Sequence, residues 1–337
     1  MHRPVVRPDR GGPGAGHGVA AAGVARCGRA FRGARGAGDP APQGRPADDR
    51  APARRGRSTV IGPAHPGGSY RPQAELGGVP AEVRRLEIQA ELSWAHEWRV
   101  VRDTAPAVAG AVLDAGCGTG AVTRRLRTEL ADPRTRLVGL DADERLLAVA
   151  RAEAPAAGID YVAGDLTEPP LPARSFDLVL ARYVFQHLAD PVGAARALAA
   201  LLRPGGTLAV IDVDAGLWGC ADPDLSALCA DAYRALGTAQ AADGGDRLVA
   251  RRLPRILRRA GLTEVGVRPF AYTGDEVGGA AALAPQLSPE RLLPLVERGA
   301  LGLGTYARAM AAWERFVAAD GFTLILGFAV VGRVPVP

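Results

Sequence analysis

Lysine is missing altogether: all 41 basic residues of this 337-residue chain are arginine. With so much alanine and glycine around them, the arginines reflect a GC-rich genome rather than selection for phosphate contacts. Cysteine is scarce. Cys27, Cys117, Cys220 and Cys229 form no CxxC pair and no metal-ligand spacing, which argues against a disulfide framework and a zinc site. No apolar run approaches the ~18 residues that a membrane span needs. The stretch from Val19 to Ala25 is too short and too glycine-rich for a signal-peptide core. The chain therefore reads as cytoplasmic and reduced, with no membrane partner.

The net charge of +5 first points to nucleic acid, but its distribution does not. Residues 1–70 hold 12 arginines against four acids, a net of +8, leaving 29 bases and 32 acids downstream, a net of −3. That leader also holds 15 glycines and nine prolines and shows no helical or strand period. Such a segment cannot bury enough apolar surface to offset its ordering entropy, so 1–69 is expected to be disordered. Its aromatics are too few to stack bases, which weakens an RNA-binding reading through the arginines. Val60 also suits a GTG start, which would make the leader mistranslated upstream sequence. The expected ordered domain is 70–337.

From residue 111 onward, apolar runs and helical periods alternate. Strands are predicted at 111–114, 136–140, 159–163, 176–181, 207–213, 263–270 and 322–333. Helices are predicted at about 81–100, 120–131, 143–154, 191–202, 222–237 and 247–260, with helical spacing again inside 275–320. This alternation predicts an α/β fold, a Rossmann-like seven-stranded, mainly parallel sheet covered on both faces. An N-terminal lid helix and a helical insert before the last strand complete it.

The informative stretch runs from Val112 to Gly120 (VLDAGCGTG). A short apolar strand enters a glycine-rich turn that opens a helix, and glycine lets the backbone approach a ligand closely. Gly116, Gly118 and Ala121 also satisfy the dinucleotide fingerprint G-x-G-x-x-A. Against that reading, Asp114 would set a carboxylate facing a pyrophosphate, and Gly120 makes the spacing G-x-G-x-G. A carboxylate there suits a cationic ligand. Further motifs follow in order: Val138–Asp141 (VGLD), Val162–Leu166 (VAGDL), Ser175–Arg182 (SFDLVLAR), Phe185–Pro191 (FQHLADP) and Leu202–Thr207 (LRPGGT).

On these residues the chain resembles the class I S-adenosylmethionine-dependent methyltransferases, small-molecule type, over roughly 70–337. The resemblance implies S-adenosyl-L-methionine as cofactor, held by Asp114, Ala115, Gly116, Gly118 and Gly120 of the first motif. Asp141, with Ala142 after it, would take the ribose hydroxyls, leaving Asp143 as the helix N-cap. Gly164, Asp165 and Leu166 would meet the adenine, although Asp165 also suits an ordinary turn. Arg182 is a candidate for the cofactor carboxylate. Gln89, one turn from Arg85 on the first helix, and Tyr70 before it are lid candidates. Gly205 and Gly206 read as structural.

Methyl transfer is an in-line displacement that asks the protein to position and desolvate the reactants. His187, just past the fourth strand, is a candidate base or a packing residue. Gln186 replaces the second histidine of the His-His pair common in related enzymes. Asp212 and Asp214 end the fifth strand at the same rim; Asp212 is the catalytic candidate, to polarise His187 or hold a substrate hydroxyl, and the alternative for both is a solvated loop acid. Leu217, Trp218, Tyr233, Leu283, Leu287, Leu292, Leu293, Leu295, Tyr306, Met310 and Trp313 make the regions 214–240 and 275–320 apolar. They are expected to wall a partly apolar small-molecule substrate, or to pack as plain core. The expected activity is methylation of such a molecule at oxygen, in specialised metabolism. The alternatives are a cofactor-bound enzyme catalysing a non-methylating rearrangement, or an RNA-binding protein acting through the leader.

Overall fold

The computed structural model describes residues 69–70 and 78–337, with gaps at 104–109, 131, 156–157, 215, 217–218, 221–222 and 280–288. The expected disorder of the leader, and the wall residues Leu217, Trp218, Leu283 and Leu287, lie outside the described residues.

Strand Ala111–Ala115 (β1) is buried along its whole length, Asp114 included. Both of its faces are covered, since Leu113 joins one apolar cluster and Val112 the other. Beside it run β2 (Arg136–Asp141), β3 (Ile159–Ala163), β4 (Phe176–Arg182) and β5 (Leu202–Val213), all parallel. The last strand, β8 (Thr323–Arg333), inserts antiparallel between β5 and β7 (Thr263–Thr273). A two-residue strand, β6 (Gly219–Cys220), pairs with the start of β8. The seven expected strands are thus present in one sheet, ordered β3-β2-β1-β4-β5-β8 with β7 on β8, and β6 is an addition.

The chain runs outward from β1 through β2 to β3, then returns to β4 on the other side of β1. That reversal opens a crevice at the carboxyl ends of β1 and β4. One face of the sheet is covered by α4 (Pro191–Leu201) and α6 (Leu253–Arg259), through Ala195, Leu198, Leu253, Ile256 and Leu257. The other is covered by α1 (Gly78–Arg102) and α2 (Ala121–Glu129). Ala90, Trp94, Trp98 and Val101 recur at helical spacing, so α1 buries one stripe, with the two indoles stacked 5.5 Å apart. Truncating either indole to alanine would cost about 3–5 kcal/mol.

Local signals set the helix starts. Asp143 accepts from the Arg145 N–H and caps α3 (Glu144–Glu153), and Asp190 caps α4 ahead of Pro191. The helical spacing expected inside 275–320 corresponds, among the described residues, to α7 (Pro289–Glu297) and α8 (Leu303–Ala318). With α5 (Pro223–Ala242) they form their own small core. Ala232, Leu292, Leu295 and Leu301 are buried there, with Tyr233, Tyr306, Met310 and Trp313 packed against them.

Candidate functional site

The switch-point crevice is a real cleft, and its floor is the turn between β1 and α2. Gly116, Gly118 and Gly120 all take positive φ, at 80°, 53° and 72°. At Gly116 a Cβ would sit 2.4 Å from Val184 Cγ2, so both the backbone angle and the space demand glycine. The Gly116 and Cys117 amides donate to the Leu140 carbonyl, and the Gly118 amide donates to Asp141 Oδ2 at 2.8 Å. Asp141 Oδ1 accepts from the Asp143 amide at 2.9 Å.

Asp114 lies just before this turn and is 2% exposed. The Thr123 hydroxyl donates to its Oδ2 at 2.6 Å. Burial lifts the Asp114 carboxyl to about 6; the Thr123 bond and the Arg182 charge pull it down, while Asp141 adds to the rise. The Cys117 thiol, also on the cleft wall, is pushed up by burial and then by the two aspartates.

The opposite wall comes from the end of β4 and from α1. Arg182, Tyr183 and Val184 line the cleft, facing Leu86, Gln89 and Ala90. Tyr183 holds φ at 57°, a left-handed conformation rare outside glycine. The Arg182 guanidinium is gripped by α1: Nε and Nη2 bond both Glu97 oxygens, and Nη2 also donates to Ser93 Oγ and the Gln89 carbonyl. The Tyr183 hydroxyl donates to Glu97 Oε1 at 2.7 Å. Tyr70 also lines the cleft, with its hydroxyl on Glu82 Oε1 and its ring 5.2 Å from that of His187.

Six of the twelve residues expected to bind the cofactor line this cleft: Asp114, Gly116, Gly118, Asp141, Arg182 and Gln89. Ala115, Gly120, Ala142, Gly164, Asp165 and Leu166 are not among its lining residues. Asp165 Oδ1 takes the Thr167 amide and hydroxyl, which is the turn role. Leu166 packs in the core and Gly164 against Pro170. Gly120 packs under Tyr161.

The two expected catalytic residues sit one layer back. Asp212 is fully buried, and its Oδ2 accepts from the Gln186 amide at 3.0 Å. It therefore anchors the turn that carries His187, the single 3₁₀ turn Phe185–His187. His187 Nδ1 meets Ser69 Oγ at 3.2 Å and Gln240 Nε2 at 3.3 Å. The Gln240 amide is oriented from both ends: Arg247 donates to its oxygen, and its nitrogen donates to the Gln186 carbonyl. Nδ1 is thus an acceptor, and in the neutral ring the proton lies on Nε2. Asp214 is paired with Arg251. The described wall residues Tyr233, Leu292, Leu295, Tyr306, Met310 and Trp313 pack on one another, and Leu293 is likewise absent from the cleft lining.

Glu97 and Ser93 were not singled out from the sequence, yet a signal was there. Positions 90, 94, 97, 98 and 101 form one apolar face of α1, so a carboxylate at 97 sits on the buried side. Among the described residues there is no group of three or more metal-ligating side chains, and no helix is long and apolar enough to cross a membrane.

Residues 113–210 match the family of methyltransferase domains. The chain is 29% identical over 241 residues to an uncharacterized 37.1 kDa protein in transposon TN4556 of Streptomyces fradiae, covering 66% of this chain and 68% of that one. It is 34% identical over 149 residues to the ubiquinone biosynthesis O-methyltransferase of Dinoroseobacter shibae, covering 42% of this chain and 55% of that one. Phosphoethanolamine N-methyltransferase 2 of Haemonchus contortus, solved with S-adenosyl-L-methionine, aligns with a TM-score of 0.44 at 19% identity, over 72% of this chain and 53% of that one. Beyond the transposon protein, the matched segments span only 36% to 55% of the curated relatives.

Proposed function

From the premise that this chain carries a class I S-adenosylmethionine-dependent methyltransferase domain, we propose that it binds S-adenosyl-L-methionine and transfers the methyl group to an oxygen of a small molecule. The observation that carries this reading is the pair of opposite charges in one cleft. Asp114 on β1 and Arg182 on β4 both line it beside the glycine turn. An ammonium beside Asp114 and a carboxylate beside Arg182 describe the head of an α-amino acid, which the cofactor carries. Asp141, at the end of β2, offers two carboxylate oxygens for ribose hydroxyls.

When bound, the cofactor supplies an electrophilic methyl carbon on a cationic sulfur. The residues of this chain then have three tasks. Asp114 must be ionised to hold the ammonium, which its carboxyl reaches above about pH 6. Tyr70, Tyr183 and Val184, which line the cleft, have the task of keeping water from the transfer. A base must take the acceptor's proton, and in this reading that is His187, receiving it at Nδ1 once the Ser69 hydroxyl and the Gln240 amide have both turned away from that nitrogen. Asp212 is its positioning residue, acting through the Gln186 amide. The oxygen acceptor agrees with the O-methyltransferase among the relatives, and a role in specialised metabolism goes with it as part of the proposal.

The test supplies purified protein with methyl-labelled S-adenosylmethionine and pools of small phenols, enols and carboxylic acids. The expected result is a product heavier by one labelled methyl group, with one S-adenosylhomocysteine released per product. His187→Ala should lower turnover by about 100-fold or more, with cofactor affinity unchanged. Conversion of an acceptor with the cofactor left intact would replace this reading by the non-methylating rearrangement. Labelled product formed on nitrogen or carbon would overturn the oxygen assignment.

A further inference from the structure

We propose that Glu97, on the buried face of α1, is a positioning residue that aims Arg182 at the carboxylate of the bound cofactor. The proposal rests on the cofactor reading above and goes beyond it by making the lid helix part of the binding chemistry. Glu97 is fully buried and the Arg182 side chain is 7% exposed. A buried pair of this kind is weak evidence for stability, because desolvating both charges offsets their attraction. Its geometry is more telling. Nε and Nη2 are saturated by Glu97, Ser93 Oγ and the Gln89 carbonyl, while Nη1 has no hydrogen bond among the described residues. The guanidinium also lies over the Tyr183 ring, 4.2 Å from its centre, so its plane is set from a second side.

Arginine is the side chain suited to this task. Its guanidinium carries three nitrogens on one plane, so Nε and Nη2 can grip Glu97 while Nη1 meets a second carboxylate. Arg182 lines the cleft together with Asp114, Gly116 and Gly118, and the proposal assigns the one nitrogen left over, Nη1, to a carboxylate bound there. Without Glu97 the long side chain regains its rotamer freedom, and a ligand must order it again at its own expense. The anchor for the carboxylate is therefore assembled only when α1 is docked.

The experiment compares two ligands by calorimetry on the full chain: S-adenosylhomocysteine, and 5′-methylthioadenosine, which lacks the amino-acid head. The wild type should prefer the former by about 100-fold, the equivalent of two charge-assisted contacts. Glu97→Ala should reduce that preference about tenfold while affinity for 5′-methylthioadenosine stays unchanged. Glu97→Asp keeps the charge but withdraws the grip by one methylene, so it should move in the same direction and guards against a misfolded alanine variant. Arg182→Lys should reduce the preference about tenfold, and adding Glu97→Asp to it should reduce it no further. Equal losses for both ligands, or an unchanged or increased preference in both Glu97 variants, would overturn the assignment and leave the cofactor reading standing. Binding of neither ligand by the wild type would overturn both.

Discussion

Cofactor affinity should titrate with Asp114. The carboxyl is 2% exposed and lifted to about 6 by burial, against the pull of Thr123 and Arg182. A cationic ligand binds its ionised form, so affinity should be level above that pH and fall about one decade per unit below it. The ionised fraction drops from about nine-tenths at pH 7 to about one-tenth at pH 5, so S-adenosylhomocysteine should bind about tenfold more weakly at pH 5. Folding feels the opposite sign. A carboxyl raised above its unfolded value favours the native state at low pH, and that contribution is lost as pH rises from about 4 through 6. Two pKa units correspond to about 3 kcal/mol in the ligand-free protein. The assay is calorimetry from pH 5 to 7.5 in buffers of differing ionisation enthalpy, which also counts the proton released on binding. Asp114→Asn should bind more weakly at pH 7 and show no such slope. A flat wild-type profile, or a slope that survives in the asparagine variant, would refute the reasoning.

Two further substitutions separate binding from scaffolding. Gly116→Ala should cost about 1–3 kcal/mol in thermal unfolding through its positive φ and the collision with Val184; adding Val184→Ala should recover the steric part only. Asp212→Ala should cost about 1–3 kcal/mol in denaturant unfolding, because the Gln186 amide loses its acceptor. Its affinity for S-adenosylhomocysteine should stay within about twofold of wild type, and a larger loss would place Asp212 in the binding site instead.

Much of the cleft was legible because its parts are local. Each glycine of the first motif answers to a backbone angle, and Asp114 and Asp141 end neighbouring strands whose boundaries an apolar run and a turn already mark. The mainly parallel sheet was legible in the same way, since alternating strands and helices imply a sheet covered on both faces; the strand order came from the tertiary structure. The readings that moved depend on distant partners. The sequence pairs Arg182 with a ligand, but α1 reaches it from 85 positions away and takes two of its nitrogens. Asp165 takes its turn role through Oδ1, which accepts from the Thr167 amide and hydroxyl, a pairing that only the folded turn shows.

The apolar residues of 214–320 show the limit most clearly. Helical spacing says that Leu292, Tyr306 and Trp313 bury a face, and they do, but it cannot say against what. Tertiary structure decided that α5, α7 and α8 cover one another. His187 is similar: its place after β4 follows from the sequence, whereas the acceptor role of Nδ1 follows from Gln240, more than fifty positions on. By itself the sequence determined the backbone turns, the strand ends and the charges set on them, because those follow from residues near one another along the chain. Which side chain holds which was left to the tertiary structure, because a hydrogen bond or a packed face is settled by distance in space.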